Sequence, residues 1–236
     1  MLDKNDSGRS DVTERPAAGR RAKVRGGKAT YSQFGEDIIA QHYLKGTERG
    51  TYVDVGCCYP IQASNTYGFY QKGWRGICID ANPASRAAFE EHRPEDVFVQ
   101  TGIAEQEDER PYYRFSSPVY NTFDRARADK VIAKNKPGAR FLGETTIPLS
   151  RLSTVLDRHG SPKTIDLMSI DVEGLELSVI RSNDFRKYRP RLLVCELICR
   201  GVADALSSEV SRTMTALGYR LIAATGHDCF FLDERR

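Results

Sequence analysis

The sequence predicts an α/β protein with a mostly parallel sheet, helices on both faces of that sheet, and an antiparallel hairpin at the carboxyl terminus. Short apolar runs alternate with segments of helical periodicity at the spacing of βαβ units. Several of these runs end in or near an acidic residue. Two short runs near the end of the chain are joined across a polar turn at residues 226–228, which indicates a hairpin.

The first half of the chain contains three predicted strands. A helix is predicted within residues 30–45, and Glu36 and Asp37 lie in its first turn, where the helix dipole favours negative charge. Residues 51–58 have the β-branched and aromatic content of a buried strand and open into a turn at Gly56. The other elements predicted here are a helix capped by Ser64 or Asn65 and followed by Gly73, a strand over 76–80, a helix that begins at Asn82-Pro83 and ends near His92, and a strand over 97–100.

Between residues 105 and 148 the pattern is lost, apart from a candidate strand over 111–115. Because long irregular segments in compact domains are often functional, we predict a substrate-facing insertion or lid here. The elements predicted beyond it are a helix over 150–159, a strand over 165–171, a helix over 174–180, a strand over 191–197, a helix with the apolar stripe Leu206, Val210, Met214 and Leu217, and hairpin strands over 219–224 and 229–232.

The length of 236 residues fits one large domain, which we assign to residues 29–236. Residues 1–28 contain eight Lys/Arg and four Asp/Glu but almost no large apolar side chains, so they are predicted to form a disordered basic tail. This tail could contact nucleic acid or an acidic membrane surface, although a solvated tail is the commoner outcome. The six cysteines lack the paired spacing of a zinc site. With no apolar run near the roughly 18 residues of a membrane span, and no secretion signal, a cytoplasmic protein is expected.

Acidic side chains lie in or near the ends of four predicted strands: Asp54, Asp80, Asp171 and Glu196. Because the carboxyl ends of parallel strands meet at one edge of a sheet, these carboxylates are predicted to line a binding edge. The turn at Gly56 has neither the G-x-G-x-x-G spacing nor the G-x-x-x-x-G-K-[ST] loop that bind phosphates. An adenosine ligand without phosphates fits better. S-adenosylmethionine is such a ligand, with its ribose held by Asp80 and its methionine portion by the Gly56 turn.

Five short motifs follow one another along the chain: YSQFGED at 31–37, YVDVG at 52–56, SNT at 64–66, GWRG at 73–76 and IDVEG at 170–174. Their order and spacing resemble the FkbM-type S-adenosylmethionine-dependent methyltransferases over about residues 30–232. The resemblance implies a seven-stranded Rossmann-like fold and O-methylation of sugar or polyketide hydroxyls. The chain departs from the commoner family pattern at Cys57-Cys58, where a small residue such as alanine is more usual.

The resemblance also implies a set of cofactor contacts. It assigns Gly102–Ala104 to the neighbourhood of the adenine and Gln33 to the carboxylate end of the cofactor. Glu36 either faces the ligand or serves the helix dipole. The complete predicted cofactor-binding set is Gln33, Glu36, Asp54, Gly56, Ser64, Asn65, Asp80, Ala81, Asn82, Gly102, Ile103, Ala104 and Asp171.

Methyl transfer to a hydroxyl requires alignment of the reacting atoms and a group that accepts the hydroxyl proton. Asp171 is the first candidate base, and Glu173 either orients the acceptor or is a first-turn acid of the next helix. Asp171 and Glu196 could alternatively hold Mg²⁺, which would acidify the hydroxyl. His227 is a further candidate base or simply a turn residue.

Two other functions are compatible with the sequence. A nucleic-acid methyltransferase could use the basic tail, but Asn82-Pro83 is followed by Ala84 rather than by the second proline of the motif that grips a base nitrogen. A non-enzymatic S-adenosylmethionine-binding module is the other alternative. Contacts to a small-molecule or glycan acceptor are expected within residues 105–148.

Overall fold

The computed structural model of the chain describes residues 29–162 and 164–235, so the predicted tail of residues 1–28 lies outside the described residues. Within them, the strands in chain order are β1 (Thr51–Val55), β2 (Arg75–Asp80), β3 (Val97–Gln100), β4 (Gly102–Ile103), β5 (Asp108–Phe115), β6 (Phe141–Ser150), β7 (Ile165–Ile170), β8 (Pro190–Glu196), β9 (Tyr219–Ala224) and β10 (Asp228–Asp233). The α-helices in the same residues are α1 (Glu36–Tyr43), α2 (Tyr67–Tyr70), α3 (Ser85–His92), α4 (Arg125–Lys134), α5 (Leu152–Arg158), α6 (Glu176–Ser182), α7 (Val202–Ser207) and α8 (Glu209–Ala216).

The main sheet has the strand order β3-β2-β1-β7-β8-β10-β9. The five strands from β3 to β8 in this order are parallel, whereas β10 is antiparallel to both β8 and β9. The predicted seven-stranded, mostly parallel sheet with an antiparallel hairpin at its end is therefore confirmed. The strand order reverses between β1 and β7, and ligands of open α/β sheets bind at the carboxyl ends of strands beside such a reversal.

Helices cover both faces of the main sheet, as the sequence predicts. One face is packed by α5, α6 and α8, and its core includes Leu152. The other face is packed by α1, α2 and α3, and its core includes Phe89. Successive β1 residues point to opposite faces, because Val53 belongs to the first core and Tyr52 to the second.

Residues 105–148 are more regular than the sequence predicts. The candidate strand over 111–115 belongs to β5, which pairs antiparallel with β6, and β6 also pairs in parallel with β4. The sequence does not predict β6 or α4, because few of their side chains are buried: Ile147 and Leu149 in β6, and Ala128 in α4. Polar, exposed elements lack the apolar periodicity on which prediction of secondary structure from sequence depends.

Three details of the predicted helices are wrong. The N-cap of α2 is Thr66, although Ser64 Oγ still accepts a hydrogen bond from the Tyr67 amide at 3.1 Å. The helix expected at Asn82-Pro83 begins at Ser85. The predicted stripe is divided between α7 and α8 because Ser208 Oγ accepts from the Ser211 amide at 3.0 Å and caps a new helix, which leaves Leu206 57% exposed.

No helix in the described ranges is long and apolar enough to cross a bilayer.

A buried arginine joins α3 to the main sheet. The side chain of Arg93 has no exposed surface, and its Nε donates to Asp96 Oδ2 at 2.7 Å. Its Nη2 donates to the Tyr52 hydroxyl at 2.9 Å and to Thr66 Oγ1 at 3.0 Å. Thr66 Oγ1 in turn donates to Asp54 Oδ2, so the carboxylate inside β1 is held by this network. The buried charged groups of this network are tolerated because they are paired and hydrogen-bonded.

Replacement of Arg93 should therefore destabilise the fold. We expect Arg93→Met to lower the free energy of unfolding by roughly 3–5 kcal/mol, because it leaves the buried Asp96 carboxylate without its cation. Arg86→Met, on the exposed face of the same helix, is the matched control and should cost less than about 1 kcal/mol. Urea unfolding followed by circular dichroism measures both changes. Equal losses of unfolding free energy in the two variants would contradict a structural role for the buried network.

Candidate functional site

A cavity of about 680 Å³ lies at the carboxyl edge of the parallel strands. This volume is within the roughly 300–1,000 Å³ of small-molecule sites. The floor is formed by residues at or just beyond the ends of β1, β2, β7 and β8, and the facing wall by residues between 112 and 136. The segment that the sequence predicts to be substrate-facing therefore borders the cavity.

Most of the predicted site residues line this cavity. They are Gln33, Gly56, Asp80, Ala81, Asn82, Gly102, Ile103, Asp171, Glu173, Glu196 and His227. The residues of the predicted set that do not line it are Glu36, Asp54, Ser64, Asn65 and Ala104.

These five residues make contacts within the protein instead. Asp54 is held by Thr66, and Ser64 Oγ accepts a hydrogen bond from the Tyr67 amide at the start of α2, as described above. Glu36 Oε2 accepts from the Phe34 amide at 2.8 Å, and Asn65 Nδ2 donates to Ser169 Oγ at 3.1 Å. Ala104 is buried, and its amide donates to the Ser150 carbonyl at 3.0 Å. Their assignment to the cofactor stays a prediction.

Asp80 is the last residue of β2, and both of its carboxylate oxygens are oriented by backbone amides. Oδ2 accepts from the Cys58 amide at 2.8 Å, and Oδ1 accepts from the Asn82 amide at 2.7 Å. Burial raises the pKa of Asp80 to about 6, although these two hydrogen bonds act in the opposite direction. Each carboxylate oxygen has two lone pairs, so both can accept a further hydrogen bond from a ligand in the cavity.

Gly56 forms the turn after β1 for two reasons. Its φ of +81° is in the left-handed region that glycine adopts without a steric penalty. A Cβ at this position would also lie 1.7 Å from the carbonyl oxygen of Asp171. Glycine therefore allows the turn to lie close to the backbone at the neighbouring strand end, where the ends of β1 and β7 are in contact.

Three acids meet beyond β7 and β8. One carboxylate oxygen from each of Asp171, Glu173 and Glu196 lies within 4.8 Å of the others, a spacing that could hold a metal ion. Burial, followed by the charges of Glu196 and Glu173, raises the pKa of Asp171 to about 9. Burial, followed by neighbouring acids, raises the pKa of Glu196 to about 7 and that of Asp228 to about 7. These shifts favour the protonated forms of the acids, and a cationic neighbour would favour their charged forms.

Glu173 is not a first-turn acid of α6, which is one of its two predicted roles. It precedes the helix with a φ of +60°, a left-handed conformation that is unusual for a residue other than glycine. Glu176 is the first-turn acid, and its Oε1 accepts from the amides of Val172 and Gly174 at 3.2 and 2.9 Å. The side chain of Glu173 forms an ion pair with Arg127 of α4, on the facing wall.

His227 lies in the turn between β9 and β10 and lines the cavity. Its ring stacks on Phe34 with the ring centroids 4.3 Å apart. The amide of Leu197 donates to the His227 carbonyl at 2.6 Å, which ties the turn to the end of β8. His227 therefore has a structural role in this turn and also faces the cavity.

Several cavity residues are not predicted as site residues from the sequence. Tyr112, Tyr120, Phe123, Arg127 and Lys136 all lie on the facing wall. The sequence shows only aromatic and basic residues scattered over 110–136, without a motif. Their convergence depends on the pairing of β5 with β6, which is a long-range contact that local patterns do not encode.

Comparison with known proteins identifies the family. A family model described as the methyltransferase FkbM domain matches residues 54–221. No curated protein sequence is significantly similar to the chain.

Similar solved structures include methyltransferase FkbM from Methylobacillus flagellatus KT, with 11% sequence identity, a TM-score of 0.49 and 78% of this chain covered. This chain spans only 44% of the length of that protein. Precorrin-6y C5,15-methyltransferase from Geobacter metallireducens GS-15 has 10% identity, a TM-score of 0.43 and coverage of 84% of this chain and 88% of its own. At these values neither structure bears on function.

Substitution of Gly56 should destabilise the protein by more than the strain of its left-handed backbone conformation alone. We expect Gly56→Ala to lower the melting temperature markedly, because the added Cβ meets the Asp171 carbonyl. Gly73→Ala is the matched control, since Gly73 has a φ of +87° but no atom within 4 Å of its Cβ position. It should cost only the left-handed strain of roughly 1–2 kcal/mol. Thermal unfolding of both variants isolates the steric contribution, and identical melting temperatures would contradict it.

The raised pKa of Asp171 makes stability depend on pH. Its folded-state pKa of about 9 is above the roughly 4 of an unfolded aspartate, so the folded state loses stability as pH rises through this window. Asp171→Asn removes the titrating group. We expect the melting temperature of this variant, relative to the unsubstituted protein, to increase as pH rises from about 5 to about 8.5.

Scanning calorimetry at the two pH values measures this change. Asp108→Asn, at an exposed carboxylate of β5, controls for the loss of a charge far from the cluster. A difference that is constant or that falls as pH rises would show that the Asp171 carboxyl is not protonated in the folded protein.

Proposed function

We propose, because the chain belongs to the family of methyltransferases with an FkbM domain, that it transfers a methyl group from S-adenosylmethionine to a hydroxyl group of a sugar, a glycan or a polyketide-type natural product. The observation that carries the proposal is the presence of Asp80 and Asp171, from the ends of β2 and β7, on the floor of one cavity. Such carboxylates suit a ligand that combines ribose hydroxyls with a positive charge.

The cavity residues fit this cofactor. Asp80 has lone pairs available for two ribose hydroxyls, since each oxygen is used only once by a backbone amide. Gly102 and Ile103 line the cavity beside it and provide a surface for the adenine. S-adenosylmethionine, when bound, supplies an electrophilic methyl group on a sulfonium. The acidic floor favours that positive charge by Coulomb attraction.

Activation of the acceptor hydroxyl is assigned to the carboxylates beyond β7 and β8. In the protein alone, burial and neighbouring acids raise the pKa values of Asp171 and Glu196, which favours their protonated forms. A cation next to them favours the charged forms and lowers these pKa values. The pair then becomes able to accept the hydroxyl proton. Glu173 orients the acceptor, and His227 is the further candidate base on the cavity surface.

The Mg²⁺ hypothesis rests on the spacing of Asp171, Glu173 and Glu196, which offers oxygen ligands of the kind that this ion prefers. Dialysis against a chelator decides it. A loss of turnover that Mg²⁺ restores would establish the metal, and an unchanged rate would remove it.

The two alternative functions are separated from O-methyl transfer by simple experiments. A deletion of residues 1–28 that leaves turnover of small acceptors unchanged disfavours a nucleic-acid methyltransferase guided by the tail. Calorimetric titration with S-adenosylmethionine and S-adenosylhomocysteine, followed by an acceptor screen, separates an enzyme from a binding module. The screen measures the mass gain of one methyl group on candidate sugars and hydroxylated polyketides.

Substitution of Asp80 tests the cofactor contact. We expect Asp80→Asn to weaken S-adenosylmethionine binding by roughly 10–100-fold, because it removes a charged acceptor of hydrogen bonds. Adenosine should lose affinity by a similar factor, whereas 2′,3′-dideoxyadenosine, which lacks the 2′- and 3′-hydroxyls, should bind equally to the variant and to the unsubstituted protein. Isothermal titration measures all three ligands. An equal loss for the dideoxy compound would indicate a general structural effect rather than a ribose contact.

A further inference from the structure

Acidic and basic side chains line different parts of the cavity. The floor carries Asp80, Asp171 and Glu196, all from the ends of strands in the main sheet. The wall carries two cations, Arg127 of α4 and Lys136 from the segment that follows this helix. A ligand that fills this cavity therefore meets carboxyl groups at the strand ends and cations on the wall formed by α4 and the segment after it.

Arg127 is only partly neutralised by the protein. Its Nη2 forms the ion pair with Glu173 Oε2, and its Nη1 lies 3.4 Å from the Glu173 carbonyl oxygen. The side chain is 36% exposed, and its Nε makes no hydrogen bond to any residue that the structure describes. A guanidinium has five N–H donors, so Arg127 retains donors for a second acceptor in the cavity.

Lys136 is the freer of the two cations. It follows the left-handed residue Asn135, which ends α4, and its side chain is exposed. Within residues 29–162 and 164–235 it forms no ion pair, and its Nζ lies 5.7 Å from the ring centroid of Tyr120. An ammonium held beside an aromatic ring at the cavity wall is available to an anionic ligand.

We propose that the hydroxyl acceptor carries an anionic group, a carboxylate or a phosphate, and that Arg127 and Lys136 bind it. The inference rests on the proposed function, because it assigns the acidic floor to the cationic cofactor and the basic wall to the acceptor. Arginine binds planar carboxylates and phosphates through paired N–H donors, and lysine adds a point charge. Charge thus determines the orientation of the acceptor, with its hydroxyl towards the carboxylates and its anion towards α4.

A matched control for Arg127 is present in the same helix, α4. Arg125 is two residues from Arg127 and does not line the cavity: its Nε donates to Asp129 Oδ1 at 3.0 Å, and it borders a separate groove between α4 and the β5–β6 pair. Arg125→Met and Arg127→Met therefore remove the same charge from the same helix, but only the second removes it from the cavity wall.

The experiment measures binding of D-glucuronate, D-glucose 6-phosphate, D-glucose and inorganic phosphate to the full chain with S-adenosylhomocysteine present. Ligand-observed NMR gives the dissociation constants. We expect at least one anionic sugar to bind roughly tenfold or more tightly than glucose, Arg127→Met to remove this preference, and Arg125→Met to retain it. The two anionic sugars distinguish a carboxylate acceptor from a phosphate acceptor.

The proposal is overturned if glucose binds as tightly as both anionic sugars, or if Arg125→Met reduces their binding as much as Arg127→Met. It is also overturned if inorganic phosphate binds as tightly as the anionic sugars, since the site would then recognise only the anion and not a sugar acceptor. If Arg127→Met does not fold, Lys136→Met, at an exposed position, takes its place and should weaken the anionic probes roughly threefold. Titration of S-adenosylhomocysteine by itself shows separately whether the cofactor assignment fails.

Discussion

The parallel register of β2, β1, β7 and β8 is the constraint on which the site depends. Parallel neighbours end at the same edge of a sheet, so acids at their carboxyl ends are brought together whether or not their charges repel. The repulsion and the loss of water appear as the raised pKa values of Asp80, Asp171 and Glu196. This arrangement is unfavourable in the protein alone and becomes favourable with a cation beside it, which is the physical basis of the proposed cofactor.

The protein holds this edge together by contacts that do not touch a ligand. The absence of a Cβ at Gly56 allows the turn after β1 to rest against the backbone of Asp171. Beneath the floor, Asp54 is bonded to Thr66 and thereby joined to the buried Arg93. Asp54 thereby joins β1 to the segment before α2, whatever further contact it makes with a cofactor.

The sequence predicts the structure correctly where the pattern lies within a single strand. The apolar runs that end in Asp80 and Glu196 predict both the sheet and the edge at which the cavity lies, because strand composition and chain direction are local properties. Prediction from the sequence fails for the wall, since Arg127 reaches Glu173 only through the pairing of two polar strands and a mostly exposed helix. It also fails at Leu206, where a hydroxyl cap starts a new helix and interrupts a regular apolar stripe.

A crystal structure of the protein with S-adenosylhomocysteine would test the central claim most directly. We expect both ribose hydroxyls within hydrogen-bond distance of the Asp80 carboxylate, and the sulfur on the side of the cavity that Asp171 and Glu196 occupy. A nucleoside bound against the aromatic wall, with Asp80 bonded only to the amides of Cys58 and Asn82, would contradict it.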